Sequence, residues 1–384
     1  MLVVVHSVKI WLEQTQTWVY TQVEHLPKDR VESHVVCIGT RNLEQFSVPR
    51  VHSLEQHSRL VRLWQLGLQR VGVRHSLGLL SSVSLKVGAR LIHSHFGDVG
   101  WADRGAVRRA RARHVVTFYG YDVSYLPLQP GWQKRLRQLF ASADRFLCEG
   151  SHMKQRLTAI GCPENKIAVH HLGVRLEQLP FRPRTWRQGE ALRVLIAGAF
   201  SEKKGIPLAL EALGRVKRGV DLEVTIIGDA RANVAESVAE KQKILATIAR
   251  HGLASRVRLL GYCPHSVMIE EAYRHHLFLS PSVTASNGAT EGGAPVSIIE
   301  MAATGMPIVS TRHCDIPEVV QDRVTGMLAD ERDVEGLVGC IEALLAEPDS
   351  WASMLNAGRR RVEQEYSALT QGQRLACIYE EIVG

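Results

Sequence analysis

Residues 277–318 read LFLSPSVTASNGATEGGAPVSIIEMAATGMPIVSTRHCDIPE. A short apolar run opens this segment, a Gly/Ser/Asn-rich loop follows, and a helical pattern starts near Pro295 and ends at Gly305 before a second apolar run. This order predicts a strand, a loop, a helix and a strand. The loop then lies at the carboxyl end of its strand, where ligands bind in open parallel sheets. Gly292 and Gly293 allow close approach of backbone to a ligand, and amides near Pro295 predict an anion site.

Two glutamates flank this predicted anion site. Glu291 ends the glycine loop, and Glu300 lies within the following helix. Carboxylates accept hydrogen bonds from hydroxyl groups, whereas amides at a helix start bind phosphate. The combination suits a ligand that carries both groups, such as a nucleotide sugar. The alternative interpretation is a surface loop followed by an exposed helical glutamate, and the glycines, the proline and both strands argue against it.

The rest of the chain repeats the alternation of apolar runs with helical segments. Strands separated by helices of this length predict parallel α/β sheets with right-handed crossovers. The predicted strands are 2–8, 34–40, 90–96, 114–120, 145–150, 167–173, 193–200, 222–229, 256–262, 277–280 and 307–311. A Pro- and Arg-rich stretch without periodicity, QLPFRPRTWRQGEAL at 178–192, is the predicted linker. We therefore predict domains at 1–180 and 181–360 and a terminal helix at 361–384.

Residues 291–311, EGGAPVSIIEMAATGMPIVST, resemble the pattern EGxPxxxxEAMAxGxPVV of the family 4 glycosyltransferases, which are retaining enzymes of the GT-B fold. Eight residues separate Glu291 from Glu300 where the family has seven, which is consistent with a one-residue expansion of the glycine loop. The resemblance implies two Rossmann-like domains facing a central cleft, with the terminal helix crossing back to the first domain. It also implies that the first domain binds the acceptor and the second binds a nucleotide sugar.

The resemblance extends to the donor-binding residues. It implies that Glu300 holds the ribose hydroxyls, while Glu291 and the loop and helix-start positions Gly292, Gly293 and Val296 hold the sugar and the diphosphate. Residues 197–213, AGAFSEKKGIPLALEAL, are similar to the family segment GRLxxxKGxxxLxxA, and Lys204 matches its diphosphate-binding lysine. Ala199 stands where the family has arginine, which removes a bidentate phosphate partner that Lys203 could replace. Two solvated lysines in an ordinary turn remain the alternative.

In the first half, two strand ends carry candidate catalytic residues. HSHFGDVG (93–100) places His93 and His95 on one side of a strand end, and VTFYGYDVSYLP (116–127) contains Tyr119 and Asp122. The second segment resembles the family's TFHGxD, with Tyr119 in the position of the histidine. We predict His95, Tyr119, Asp122 and Glu291 as catalytic residues. A tyrosine with a pKa near 10 is a poor base at neutral pH but can donate a hydrogen bond.

Two routes for the acceptor proton follow from these residues. The departing diphosphate oxygen can accept the proton, so that no protein base is required, or Asp122 or His95 positions the acceptor or relays the proton. Asp122 could equally fix a turn, and a lone strand-end histidine such as His95 is often structural. A metal site at His93 and His95 lacks a third ligand at useful spacing, so we predict no metal and no cofactor.

Composition restricts the class of protein. The 384 residues carry a net charge of +8, but residues 1–185 hold 26 Lys and Arg against 13 Asp and Glu, whereas the remainder is net acidic. The basic half is a candidate docking surface for an anionic membrane or a phosphorylated acceptor. We find no nucleic-acid-binding motif. Seven dispersed cysteines, without a C-x-x-C pair, indicate reduced thiols in a cytoplasm. The expected location is therefore cytoplasmic, and peripheral at the inner face of the membrane if the basic half docks there.

These observations predict a retaining hexosyltransferase that moves a hexosyl group from a nucleotide-diphosphate sugar to a hydroxyl of a glycan or lipid-linked acceptor. Cell-envelope polysaccharide or glycolipid synthesis is the expected setting. Two alternatives remain: a catalytically impaired GT-B binding or scaffold subunit, and a GT-B sugar epimerase or phosphorylase. A nicotinamide dehydrogenase is disfavoured, because the first strand leads into HSVKIWLEQTQ with no G-x-G-x-x-G turn.

Overall fold

Parallel β-sheets lie at the centre of both halves of the chain in the computed structural model. The structure describes residues 1–12, 17–44, 46–70, 78–216 and 220–384. The chain divides into two units: unit 1 comprises Met1–Arg175 with Glu365–Gly384, and unit 2 comprises Leu176–Gln364. The predicted boundaries at 180 and 360 lie within five residues of these divisions.

Unit 1 alternates strands with helices along most of its length. Its strands are β1 (Leu2–Ser7), β2 (Ile10–Trp11), β3 (Val31–Cys37), β4 (Gly39–Thr40), β5 (Val51–Ser53), β6 (Leu91–His95), β7 (Arg113–Thr117), β8 (Arg145–Cys148) and β9 (Ile167–Val169). Its first helices are α1 (Thr17–Glu24), α2 (Arg59–Arg70), α3 (Gly78–Lys86), α4 (Gly97–Ala110), α5 (Tyr121–Ser124), α6 (Trp132–Ser142) and α7 (Ser151–Ala159). Short 3₁₀ turns join several of these elements.

Seven of these strands form one parallel sheet in the order β5-β3-β1-β6-β7-β8-β9. Successive side chains of a strand point to opposite faces, and the buried residues follow this rule. Val5 and Ile92 pack beneath α3 and α4 on one face, whereas their neighbours Val4 and Leu91 pack on the other. The strand order reverses between β1 and β6, which places the switch point of the sheet there.

Unit 2 contains the second sheet. Its strands are β10 (Leu192–Ala197), β11 (Leu222–Ile227), β12 (Val257–Gly261), β13 (Leu277–Ser280), β14 (Ile308–Thr311) and β15 (Met327–Ala329). Its helices are α8 (Ile206–Arg215), α9 (Ala235–Arg250), α10 (His265–Arg274), α11 (Val296–Thr304), α12 (Ile316–Val319), α13 (Val334–Ala346) and α14 (Trp351–Glu365). The order β12-β11-β10-β13-β14-β15 is that of a doubly wound nucleotide-binding fold, with its switch point between β10 and β13.

The last helix, α15 (Ala368–Val383), belongs to unit 1. Leu375, Ala376 and Tyr379 are fully buried against the face of the sheet that carries Val4 and Leu91. Gly372 brings the helix backbone close to the residue that follows α1, since a Cβ added there would lie 2.0 Å from the carbonyl oxygen of His25. The terminal helix therefore completes the apolar covering of the first sheet.

The eleven strands predicted from apolar runs are all present, although their ends differ by a few residues. The pattern missed β2, β4, β5 and β15, which are two or three residues long. Such strands contain too few residues to show a period. Among the described residues, no helix has both the length and the apolar character needed to cross a bilayer.

We predict that Gly372→Ala destabilises unit 1, because the new methyl group meets a backbone carbonyl that cannot move aside. The expected cost is about 1–3 kcal/mol, as for overpacked cores. Gly339→Ala is the matched control, since Gly339 lies in α13 with open space around its Cβ position. Alanine there should stabilise the helix by up to about 1 kcal/mol. Scanning calorimetry of both variants tests this, and equal Tm shifts would contradict it.

Candidate functional site

The switch point of unit 2 brings two loops together. Lys203 and Lys204 follow β10, and the glycine loop that ends at Glu291 follows β13. The two loops are joined by a backbone hydrogen bond from the amide of Val283 to the carbonyl of Lys203, 2.9 Å long. Gly205 is required at this contact, because its φ is +61° and a Cβ would lie 1.9 Å from the carbonyl oxygen of Pro281. The fold therefore places the lysines beside the glycine loop.

Glu291 is the centre of a charged group that we call the Glu291 cluster, formed by Glu291, Lys203, Lys204 and Ser282. The Nζ atom of Lys204 lies 2.8 Å from Oε1 of Glu291, and that of Lys203 lies 3.2 Å from Oε2. The hydroxyl of Ser282 donates to Oε1 at 3.0 Å. The glutamate side chain is only 6% exposed, whereas the lysines are 29% and 20% exposed. Each ammonium group thus pairs with the Glu291 carboxylate, while part of each lysine side chain remains exposed to solvent.

The electrostatics of the cluster favour an ionised Glu291. Burial by itself raises the pKa of the carboxyl group, but the positive charges of Lys203 and Lys204 outweigh burial and lower the pKa to about 2. A buried carboxylate is stable only when it is paired and hydrogen-bonded. With two cations and one buried anion, the cluster keeps an excess positive charge at the carboxyl end of the sheet. Such a site attracts anions.

A histidine from the next strand fixes the backbone of Glu291. The amide of Glu291 donates to Nε2 of His313 at 3.1 Å, and Nδ1 of His313 donates to Oε1 of Glu331 at 2.6 Å. Since Nε2 accepts, the proton of this buried imidazole lies on Nδ1. Sequence reasoning missed His313, although it follows β14 within the segment quoted first. It also missed the role of Ser282.

The predicted donor-binding residues surround this cluster in sequence and in local structure. Gly292 adopts a φ of +83°, and α11 begins at Val296, where the first amides of the helix have no intrahelical partners. Glu300 lies one turn further along α11 and is 8% exposed. Its Oε1 lies 2.7 Å from Nε2 of His265, the first residue of α10. No local pattern indicated this His265 partner, because the contact spans 35 residues.

In unit 1, the predicted catalytic residues lie at the corresponding switch point. His6 is the penultimate residue of β1, and His93 and His95 alternate along β6. Thr117 ends β7 and Tyr119 follows it two residues later, so all five side chains lie on one face of the sheet. Residues of α1 and α15 cover them, and the three histidines are fully buried. Burial lowers the pKa of His6 to about 3 and holds the pKa of His95 well below its usual value. These imidazoles are therefore neutral at physiological pH.

A continuous series of hydrogen bonds runs through this face, and a carbonyl group sets its direction. The backbone carbonyl of Gln371 can only accept a hydrogen bond, so Nε2 of His170 donates to it, at 3.1 Å. Nδ1 of the neutral His170 therefore accepts a hydrogen bond from Nε2 of the Gln22 side chain, at 3.4 Å. The amide oxygen of Gln22 then accepts from the hydroxyl of Tyr119, at 3.1 Å.

The same direction continues from Tyr119 to His6. Since the Tyr119 hydroxyl donates to Gln22, it accepts from Nδ1 of His95 at 2.6 Å. Nε2 of His95 accepts from Nδ1 of His6 at 3.1 Å. Nε2 of His6 is left as a buried lone pair without a hydrogen-bond partner. His95 and Tyr119 are thus placed together as predicted, but both of their polar ends already bind protein groups.

His93 brings a third histidine into this group. One nitrogen atom from each of His6, His93 and His95 lies within 4.8 Å of the others, so β1 provides the third imidazole that sequence spacing did not show. Nδ1 of His93 contacts the hydroxyl of Tyr379 and Nε2 that of Thr117, both at 2.6 Å. Five of the six ring nitrogens therefore bind protein groups. A metal ion would have to displace several of these bonds.

Asp122 joins two loops of unit 1. Its carboxylate accepts from the amide of Gly97 at 2.8 Å and from the amides of Tyr119 and Gly120, both at 3.0 Å. Burial raises its pKa to about 7, although the amide donors favour the ionised form. The structure thus shows Asp122 holding the turn after β7 against the start of α4. This was the alternative that the sequence left open.

The two doubly wound parallel sheets and the glycine-loop helix with its two buried glutamates define a protein of the GT-B class. Two family models match the chain: Glycosyltransferase Family 4 over residues 15–178 and Glycosyl transferases group 1 over residues 191–347. The chain belongs to glycosyltransferase family 4, the group 1 glycosyltransferases. The resemblance found in residues 291–311 is thereby confirmed.

Proteins with sequences similar to this chain are also glycosyltransferases by name. The amylovoran biosynthesis glycosyltransferase AmsK of Erwinia amylovora is 31% identical over 75% of this chain and 69% of its own length. A GDP-mannose-dependent phosphatidylinositol monomannoside mannosyltransferase of Mycolicibacterium smegmatis is 27% identical over 75% of this chain and 77% of its own. The solved structure of Anabaena Alr3699/HepE in complex with UDP-glucose has a TM-score of 0.77 and 17% identity, covering 99% of this chain and 100% of its own. That structural likeness confirms the fold.

We predict that Glu291→Gln makes the protein less stable at pH 7 by as much as about 3 kcal/mol. The pKa of Glu291 falls from 4.5 to about 2 on folding, so its stabilisation is present above about pH 4.5 and is lost as the pH falls toward 2. Urea unfolding at pH 7 and pH 3 should therefore show a smaller difference between variant and wild type at pH 3. Glu223→Gln, at an exposed position of β11, is the control. A pH-independent difference for Glu291→Gln would disprove the ion-pair argument.

Proposed function

We propose that this glycosyltransferase is a retaining hexosyltransferase that uses a nucleotide-diphosphate sugar and needs no metal ion. Unit 2 binds the donor, with Glu300 accepting hydrogen bonds from the ribose. Glu291 orients the sugar hydroxyls, and Lys203, Lys204 and the amides of the glycine loop and Val296 bind the diphosphate. The acceptor is a hydroxyl group of a glycan or a lipid-linked saccharide.

The Glu291 cluster is the observation that carries this proposal. Two lysines share one buried carboxylate, so the group has one positive charge more than it needs for pairing. A diphosphate beside the lysines would receive charge-assisted hydrogen bonds from both ammonium groups. In this arrangement Lys203 supplies the positive charge that an arginine supplies in the family pattern, where this chain has Ala199. The same lysines would stabilise the charge that develops on the departing diphosphate.

The hydrogen bonds of unit 1 favour one of the two routes for the acceptor proton. Nε2 of His95 accepts from His6, the Tyr119 hydroxyl donates to Gln22, and Asp122 binds backbone amides. Each predicted base is therefore already engaged. In the proposed step the acceptor oxygen bonds to the anomeric carbon as the bond from that carbon to the phosphate oxygen breaks. The departing phosphate oxygen takes the acceptor proton, and the new bond forms on the face that the diphosphate leaves.

The comparisons support the donor and acceptor classes of this proposal. One structural neighbour was solved with UDP-glucose, and one relative is described as GDP-mannose-dependent. AmsK is described as a glycosyltransferase of amylovoran biosynthesis. The mannosyltransferase is named for a phosphatidylinositol monomannoside. A polymer or lipid-linked saccharide acceptor is consistent with both descriptions. Synthesis of a cell-envelope polysaccharide or glycolipid is the setting we propose.

We predict that Lys204→Met lowers kcat/KM for nucleotide release by roughly 10²-fold, because the charge on the leaving diphosphate loses a donor. UDP-glucose and GDP-mannose serve as probe donors, with free nucleotide as the readout. Lys243→Met is the matched control, because Lys243 is 62% exposed on α9, away from the Glu291 cluster. Glu300→Ala should instead raise KM for the donor. Equal, background-level release from wild type and Glu300→Ala would favour the binding-subunit alternative.

Chelation tests the proposed independence from metal ions. Because Lys203 and Lys204 supply the neutralising charge, release of nucleotide should be unchanged after dialysis against EDTA. The buried histidines of unit 1 make this measurement informative, since they offer nitrogen ligands within 4.8 Å of one another. Loss of activity on chelation and recovery with Mg²⁺, Mn²⁺ or Zn²⁺ would contradict the proposal.

A further inference from the structure

Glu300 is an acidic residue inside a buried stretch of α11. Residues 298–304 are all buried, and Glu300 itself is 8% exposed. A carboxylate at this depth requires a hydrogen-bond donor. Among the described residues that donor is Nε2 of His265, which lies 2.7 Å from Oε1. The other oxygen, Oε2, has no hydrogen-bond partner in the part of the chain that the structure describes.

A buried arginine fixes the two helices that carry this pair. The guanidinium group of Arg184 donates to the carbonyl of Ala272 near the end of α10, at 2.8 Å, and to that of Thr304 at the end of α11, at 2.9 Å. Arg184 is itself 7% exposed. The contact between His265 and Glu300 joins the start of α10 to the middle of α11. The packing of α10 on α11 therefore has a fastening that is separate from this contact.

The hydrogen bond from His265 restricts the carboxylate of Glu300. An oxygen of a carboxylate only accepts, so Nε2 of His265 carries the proton and donates. A glutamate side chain is long and flexible, and ordering it upon ligand binding costs free energy. Because the bond to His265 holds Oε1 in place, less ordering remains when a ligand binds. Oε2 stays available to a donor of the ligand.

The location of the pair suits a nucleoside. His265 begins the helix after β12 and Glu300 lies in the helix after the β13 loop, at the edge of the sheet where ligands bind. The side chains are 23% and 10% exposed, so part of the pair is accessible. A ribose presents two adjacent hydroxyls, both of which can donate to a carboxylate. A site built to bind a hydroxyl rejects an analogue that lacks it, because a buried acceptor is then left unpaired.

We propose that His265 is a positioning residue for donor binding and makes the site selective for ribonucleoside over 2′-deoxyribonucleoside diphosphate sugars. This inference rests on the proposed function, in which Glu300 accepts from the ribose. While the carboxylate is held, a deoxyribose leaves it without a donor. A carboxylate that is not held can turn toward the remaining hydroxyl or toward water. Loss of His265 therefore weakens binding of the ribonucleotide and also reduces the penalty on the deoxyribonucleotide.

Steady-state kinetics of nucleotide release test the inference, with UDP-glucose, GDP-mannose and their 2′-deoxyribose analogues as probe donors. His265→Ala should raise KM for the ribonucleotide donor roughly tenfold, as for loss of a hydrogen bond to a charged group, and should leave kcat within about twofold. The ratio of kcat/KM between ribose and deoxyribose donors should fall from about tenfold or more in wild type toward one. His265→Gln, whose amide group can still donate, should recover most of both.

A double-variant cycle shows whether His265 acts through Glu300. In the Glu300→Ala background, His265→Ala should change KM by less than about twofold, because the partner is absent. His57→Ala is the control, since His57 is exposed in unit 1, and it should match wild type. The ratio between donors is measured within one preparation, so a variant that folds incompletely still reports it.

Three outcomes would overturn the inference: an unchanged KM and donor ratio in His265→Ala, equal losses in His265→Ala and His265→Gln, or additive effects of His265→Ala and Glu300→Ala. A merely structural histidine would lower Tm and kcat together and leave the donor ratio as in wild type. With normal nucleotide release by wild type, each of these results leaves the proposed function intact. Wild type that neither releases nucleotide nor gains thermal stability from any ribonucleotide probe would contradict the proposed function, and this inference with it.

Discussion

The buried carboxylate of Glu291 sets the strongest constraint on unit 2. An ionised group at 6% exposure requires partners, and the nearest cations come from a different loop. Pairing with Lys203 and Lys204 therefore ties the loop after β13 to the loop after β10. The close approach at Gly205, the left-handed backbone at Gly292 and the start of α11 all adjoin this one contact. The donor site that we propose is built around it.

Six strands of the unit 1 sheet follow the same order as the unit 2 sheet, with β9 added at one edge, but the side chains at the switch point are of a different kind. The imidazoles at its strand ends are neutral, and they join the Tyr119 hydroxyl in a series of hydrogen bonds whose direction is set by the Gln371 carbonyl. Desolvation favours the neutral forms of these groups, whereas the lysines at the other switch point remain partly exposed and charged. Because of this contrast, we assign the binding of the donor diphosphate to unit 2. A tyrosine at position 119 that is engaged in this series is compatible with the leaving-group-assisted transfer that we propose.

The central strands and the donor motif were predictable from the sequence, because both depend on neighbours along the chain. Buried parallel strands appear as apolar runs, and the segment around Glu291 and Glu300 keeps its order of glycine, proline and helix. Partners from distant parts of the chain were not predictable. His6 reaches His95 because β1 pairs with β6 in register, across 89 residues, and His265 reaches Glu300 from another helix. Register and helix packing are set by the whole sheet, which no local pattern contains.

By itself, the sequence determined the α/β class, the family, the two-part organisation and the identity of the residues around the glycine loop. Only the tertiary structure decided which way those residues face and what they bind. The carboxylate of Asp122 binds backbone amides and stabilises a turn. The apolar residues Leu60, Leu63 and Trp64 of α2 are exposed, although the sequence of α2 would equally suit a buried helix. The physical reason is that periodicity fixes which residues share a face, whereas the direction of that face depends on the surfaces that the rest of the chain leaves free.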